Sequence, residues 1–358
     1  MKVPIRINTF RKHMMKLLTR HIGKSTIVRN LEPSGVKKIL ISRPNHRLGN
    51  MLLITPLVQE VQDTFPNCTI DLFVGGNAAS HIFRNNQNIG RIIELPRRPF
   101  SNIVKYFRGW LLLRISRYDF AININVHSSS GRLSIALSRS GYKFFGEADT
   151  EYGIEYDDYQ HIAKYPIYNL RNYLNRIGFV QPNNPIPDLS LNLSDDELAR
   201  GAKLLNTIIL KGKITICLFT NATGNKCYSE LWWQEFYNRL EEEFPDVNFI
   251  EMLPVENISR LGFRIPRFYS TDLREMGAVI ANTTLFISAD GGVMHLASAT
   301  GTPTIGLFSV TREQIYAPYN KHSLAINTDK VNKNEMLALI VLTLLNVCYD
   351  IRKEFGKS

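Results

Sequence analysis

What most constrains this chain is an alternation of short apolar runs with longer helical patterns, played through twice. Runs of strand composition lie at 38–42 (KILIS), 70–74 (IDLFV), 92–95 and 120–126. Leu52, Leu53, Leu57, Val58 and Val61 follow the first run at helical spacing, and 103–117 has the pattern of a basic helix. A stretch rich in proline and asparagine, 181–196, interrupts the pattern, with Ser194 or Asp195 suited to cap the next helix. The alternation then restarts, with strands at 214–219, 247–252, 285–288 and 304–308 and helices at 230–243, 273–281 and 294–300. Strands joined through helices return in the same direction, so parallel sheets covered on both faces are expected. The reading is α/β with two Rossmann-like domains facing a central cleft. Its parts are a basic leader (1–36), an N-terminal domain (37–185), a C-terminal domain (195–332) and a final helix (333–358) packing back on the junction.

Composition narrows the class. With 358 residues, 44% hydrophobic and 21% charged, the chain has enough apolar side chains for two cores and is not a disordered one. No apolar run reaches the roughly 18 residues of a membrane span; the longest, 336–349, carries Thr343 and Asn346 and reads as a buried helix. The four cysteines are scattered without a CxxC, which argues against a zinc site or a disulfide framework. No continuous apolar segment follows the first charges, so the expected location is the cytoplasm.

The net charge of +11 is unevenly spread. Eight Lys and Arg residues precede the first acid, Glu32. On a helix, Phe10, Met14, Leu17 and Leu18 would share one side and Lys12, Lys16 and Arg20 the other. Such a segment suits the anionic cytoplasmic face of an inner membrane, and equally a solvated leader. Nucleic acid is not expected as a partner, because aromatics do not interleave with the bases as a stacking platform requires. A second basic stretch, 91–117, sets Arg97, Arg98, Lys105, Arg108, Arg114 and Arg117 among Phe100, Tyr106, Phe107 and Trp110.

The densest chemistry lies at 286–308 (FISADGGVMHLASATGTPTIGLF). A strand ends at Ser288, and Asp290-Gly291-Gly292 turns directly into a helix. Glycines there allow close backbone approach, and a helix start offers free N–H groups, which together suit a diphosphate. His295 falls in the first turn of that helix.

The segment resembles the donor-binding signature of glycosyltransferase family 9, the ADP-heptose:lipopolysaccharide heptosyltransferases. Asp290, Gly292, His295, Leu296 and Ala297 match it, as do Gly301, Thr302 and Pro303, while Gly291 stands for the usual Ser or Thr and Val293 for the usual Pro. A second motif is similar independently: Ile39-Leu-Ile-Ser-Arg-Pro-Asn-His-Arg-Leu-Gly-Asn-Met-Leu-Leu-Ile-Thr-Pro matches a strand, Arg-x-x-x-x-Gly-Asp and a helix carrying Thr-Pro. The likeness runs from about Lys38 to Tyr319.

The resemblance implies a GT-B fold and inverting, metal-independent transfer of a sugar. The expected donor is ADP-heptose, a substrate rather than a cofactor, and the expected acceptor a lipopolysaccharide core or related glycolipid. It places Thr220, Lys226, Asp290, Gly291, Gly292 and His295 on the donor, and Arg43 and Arg47 on the acceptor. The family's Asp after Gly49, the general base, is Asn50 here, and an amide takes no proton at neutral pH. His46 is then the candidate base, and the alternative is a catalytically silent binder of sugar nucleotides or glycolipids. A nicotinamide dehydrogenase is disfavoured, because 43–50 holds one glycine where Gly-x-Gly-x-x-Gly is needed.

Overall fold

The computed structural model describes residues 19, 22–27, 33–98, 101–147, 155–179 and 184–355. The amphipathic leader segment, Phe100 and residues 181–183 lie outside them. The described residues form two compact units. One draws on Met1–Arg47, Pro56–Ser80 and Asn86–Pro187, the other on Leu48–Thr55, His81–Asn85 and Asp188–Ser358.

The elements of the first half are β1 (Lys38–Arg43), α1 (Leu48–Leu52), α2 (Thr55–Thr64), β2 (Thr69–Gly75), α3 (Ala78–Ile82), β3 (Ile89–Leu95), α4 (Ile103–Ile115), β4 (Arg117–Asn123), α5 (Ser129–Leu137), β5 (Arg139–Phe144) and α6 (Tyr165–Arg176). Its sheet has the order β3-β2-β1-β4-β5, every pair parallel. β1 is central, so its Ile39, Leu40 and Ile41 are fully buried, as strands covered on both faces require. The helix expected across 52–61 is broken. Pro56 opens α2 at its first turn, where its missing N–H costs nothing, and the Thr55 hydroxyl bonds the Leu52 carbonyl that ends α1. A buried fork joins α6 to α2: Arg171 Nε and Nη2 donate to the two Glu60 oxygens at 2.6 and 2.7 Å.

The second half runs α7 (Asp195–Leu205), β6 (Thr215–Phe219), α8 (Glu230–Glu243), β7 (Asn248–Met252), β8 (Arg267–Phe268), α9 (Leu273–Ala281), β9 (Leu285–Ala289), α10 (Gly292–Ala299), β10 (Thr304–Phe308), α11 (Glu313–Tyr316), β11 (Leu324–Asn327) and α12 (Lys333–Phe355). Its parallel sheet has the order β11-β10-β9-β6-β7-β8. Counted from β6 this is 3-2-1-4-5-6, the Rossmann order. Both sheets therefore reverse direction of growth beside their first strand, between β1 and β4 and between β6 and β9.

Ser194 caps α7 in a full capping box with Glu197. Glu197 also accepts a buried fork from Arg274 of α9, at 2.5 and 2.7 Å. The remaining Arg274 donors reach the carbonyls of His81, Leu191 and Asn192, so the guanidinium is fully satisfied. Trp233 is fully buried in this unit's core with Trp232 packed edge-on against it, so the pair packs α8 onto the sheet. α12 matches the final helix expected from 333, and Lys333–Lys353 is long and apolar enough to cross a membrane by length and composition. One face, with Met336, Ile340 and Leu344, lies buried in the core beside β10, β11 and α8, while Leu342, Leu345 and Tyr349 on the same helix are exposed. All four cysteines are free.

Candidate active site

The most concentrated set of polar groups sits at the carboxyl end of β6 and β9, the switch point of the C-terminal sheet, where open α/β sheets hold ligands. β9 ends at Ala289. Asp290 follows, its N–H still bonded to the Leu307 carbonyl, and Gly291 leads into α10. The Asp290 carboxylate is buried and accepts from Lys226 Nζ and from the Thr311 hydroxyl, each at 2.5 Å. Lys226 lies in a single 3-10 turn, Gly224–Lys226, and its ammonium stands 5.6 Å from the Tyr316 ring centre. The lysine is thus oriented by an anion, while its 30% exposure leaves it a face for a ligand.

Two sequence-distant motifs meet here. Gly49, in α1, belongs to the C-terminal unit, and a Cβ on it would stand 2.8 Å from His295 Cδ2 and 3.3 Å from Gly292 Cα. Gly292 is equally confined, with Leu48 and the Gly49 nitrogen at 3.3 Å from where its own Cβ would be. Both glycines are needed because two backbones pack directly at the start of α10. His295 is buried in that packing, so its side chain holds the contact between α1 and α10. Asn50, next to Gly49, is half-buried and groups with the C-terminal unit.

Thr220 is the first residue after β6. Its hydroxyl donates to Glu251 at 2.6 Å and accepts the Arg260 N–H at 3.2 Å, while Ser259 Oγ donates to the other Glu251 oxygen at 2.5 Å. Glu251 is fully buried, and burial pushes its pKa above the ordinary carboxylate value despite these donors. This network holds the loops after β6 and β7. Gly301, with a φ of +82°, ends α10, and the Thr302 hydroxyl bonds the Ile280 carbonyl, so Gly-Thr-Pro shapes the return to β10.

Arg43, His46 and Arg47 fall in the N-terminal unit, on the loop leaving β1 at that sheet's own switch point. Arg43 ends the strand and is buried, whereas His46 and Arg47 are exposed. Asn45 shapes the loop, its side chain accepting the Arg47 N–H at 2.9 Å. Gly76, with a φ of +77°, passes under it: a Cβ there would lie 3.3 Å from His46 Cβ and 3.6 Å from Arg97 Nε. Partial burial, then Arg97 and Arg47, lower the His46 pKa below its ordinary 6.5, so the imidazole is neutral at pH 7.

Thr311, Tyr316, Glu251 and Ser259 were not evident in sequence. Each acts through a contact made by a different loop, and none lies in a motif. The loop after β4, with Asn125, exposed His127 and the cap Ser128, shares the N-terminal switch point with His46, and no sequence motif marks it.

Two parallel sheets of Rossmann order, with polar loops at their switch points, define an α/β protein, and its likeness to solved heptosyltransferases makes the fold GT-B. The chain belongs to glycosyltransferase family 9 (heptosyltransferase), whose family model matches residues 107–338. It is 40% identical over 282 residues to the lipopolysaccharide core heptosyltransferase OpsX of Haemophilus influenzae, covering 76% of this chain and 79% of that protein. To lipopolysaccharide heptosyltransferase 3 of Escherichia coli it is 21% identical over 297 residues, 76% of this chain and 83% of the other. Among solved structures it is similar to a family 9 glycosyltransferase from Veillonella parvula, with a TM-score of 0.68 at 13% identity over 90% of this chain and 99% of that one. The E. coli heptosyltransferase WaaC with ADP follows at 0.62 and 16%, covering 86% and 99%.

Proposed function

We propose that this protein transfers heptose, with inversion and without a metal, from ADP-heptose to a lipopolysaccharide core or related glycolipid. The observation that carries the reading is the cluster of Lys226, Asp290 and the Gly291-Gly292 helix start at one switch point, closed by Gly49 against His295. A diphosphate there meets the free N–H groups of α10 and the Lys226 ammonium, which stabilise the charge that builds on the departing nucleotide. The WaaC structure with ADP and the lipopolysaccharide heptosyltransferases among the relatives support the choice of donor and acceptor.

Deprotonation of the acceptor hydroxyl falls to His46. Its lowered pKa keeps the base form available at neutral pH, while Arg47 beside it meets anionic groups of the acceptor. The work would take place in the cytoplasm at the face of the inner membrane, where such an acceptor is anchored.

Asn50 favours a second reading, a silent binder, because it stands with the donor-side residues and takes no proton. One assay separates the two. Release of ADP from ADP-heptose in the presence of lipid-A-core acceptor, lost in Lys226→Ala, supports transfer. No release by the parent, with release by Asn50→Asp, makes the protein a binder. Release from UDP- or GDP-sugars alone overturns the proposed donor.

A further inference from the structure

α4 of the N-terminal unit has two apolar sides, and one packs on nothing among the described residues. Leu113 and Gly109 face the core, with Tyr106 and Trp110 packed beside them. Ile103, Phe107, Leu111 and Ile115, spaced by four, share the opposite side of the helix with Val104, and all five are exposed, from 52% at Ile103 to 78% at Val104. Leu137 at the end of α5 extends the patch and lines the same shallow depression as Phe107 and Leu111. A run of exposed large apolar side chains on a helix 13 residues long is not the scattered exposure normal for a protein surface.

The charges around the patch say what covers it. Residues 96–117 hold six cations and no acid. Arg108 and Arg114 line the depression itself. Arg117 and Arg139 stand directly opposite each other in the β4–β5 register, both exposed, a like-charge pairing that is unfavourable without an anion nearby. Arg114 also presses on Lys143, lowering its pKa after burial has done so. Among the described residues, none of Arg108, Arg114, Arg117 and Arg139 is in an ion pair.

We propose that this face of α4 is a membrane-docking surface, its apolar side chains entering the headgroup region of an anionic phospholipid bilayer while the arginines engage the lipid phosphates. A helix lying in the interface plane, apolar below and cationic at its borders, is the geometry such a surface requires. The proposal deepens the membrane location proposed above, but it is read by vesicle binding and so stands or falls separately from heptose transfer.

The test is flotation of the full chain with vesicles of phosphatidylcholine alone and of phosphatidylcholine mixed with phosphatidylglycerol. The parent is expected to float with the anionic vesicles and to be released by salt. Phe107→Ser combined with Leu111→Ser, and separately Arg108→Glu combined with Arg114→Glu, is expected to weaken partition about tenfold. Far-UV circular dichroism and the melting temperature confirm that the variants are folded; should the double serine variant unfold, the single Val104→Ser replaces it. Equal flotation of parent and apolar variant overturns the proposal, as the leader or another surface then makes the contact. Failure of the parent to float also overturns it. So does a change of sedimentation coefficient in the apolar variant with vesicle binding intact, which assigns the face to a second copy of the chain.

Discussion

At the scale of single residues, the site is governed by what has no side chain as much as by what has one. Gly49 is surrounded by His295 and the start of α10, and a methyl group has nowhere to go. Gly49→Ala is expected to lower stability by about 1–3 kcal/mol through overpacking and to cut transfer activity by displacing the donor-side backbone. A melting curve and a nucleotide-release assay on the same preparation check both. His46 presents the complementary case, a titrating group whose neighbours disfavour its charged form. Because the shift is downward, the neutral base persists below pH 6.5 and is lost only in more acidic solution. The acid limb of kcat/KM is therefore expected below pH 6.5, and His46→Gln should lower kcat/KM and remove that limb.

At the scale of elements, one ion pair fastens the start of the C-terminal unit. Glu197 caps the first turn of α7 and receives Arg274 from α9, and the remaining Arg274 donors hold the 81–85 and 188–192 segments. The Arg274 guanidinium holds the Glu197 carboxyl at about 2, below its ordinary 4.5. A depressed carboxylate stabilises the fold fully above the ordinary value and progressively less as pH falls towards 2. Arg274→Met, which strands a buried carboxylate, is expected to cost about 3–5 kcal/mol at pH 7. The stability difference between the parent and Glu197→Gln should shrink between pH 4.5 and 2, as read by urea denaturation across that range. The same elements show how well local rules carried. The Ser194 cap and the helix at 273–281 follow from composition and spacing. The break between α1 and α2 and the short strands β5, β8 and β11 did not emerge, because each depends on a neighbour strand or on a proline whose effect is felt across a turn.

At the scale of the whole chain, two parallel sheets are built from one repeated alternation, and polar loops gather at the switch point of each. If the C-terminal switch point binds nucleotide diphosphate, ligand binding to the native state alone must raise its melting temperature. ADP in excess over its dissociation constant by about a hundredfold is expected to add about 2.7 kcal/mol. The shift should be largely lost in Lys226→Ala and kept in Phe107→Ser, which lies in the other unit; differential scanning fluorimetry with and without ADP reads it.

Sequence by itself determined the α/β class and the family, because strand and helix periods, glycine turns and helix starts are local properties of a chain. Tertiary structure alone decided that Gly49 and Asn50 group with the C-terminal unit while His46 and Arg47 remain with the other. It alone showed that Lys226 is held by Asp290, Thr220 by Glu251, and that one apolar side of α4 is exposed among the described residues. The physical reason is that hydrogen bonds, close backbone packing and exposure are relations between segments far apart in the chain, and no periodicity along it records which segments come to lie side by side.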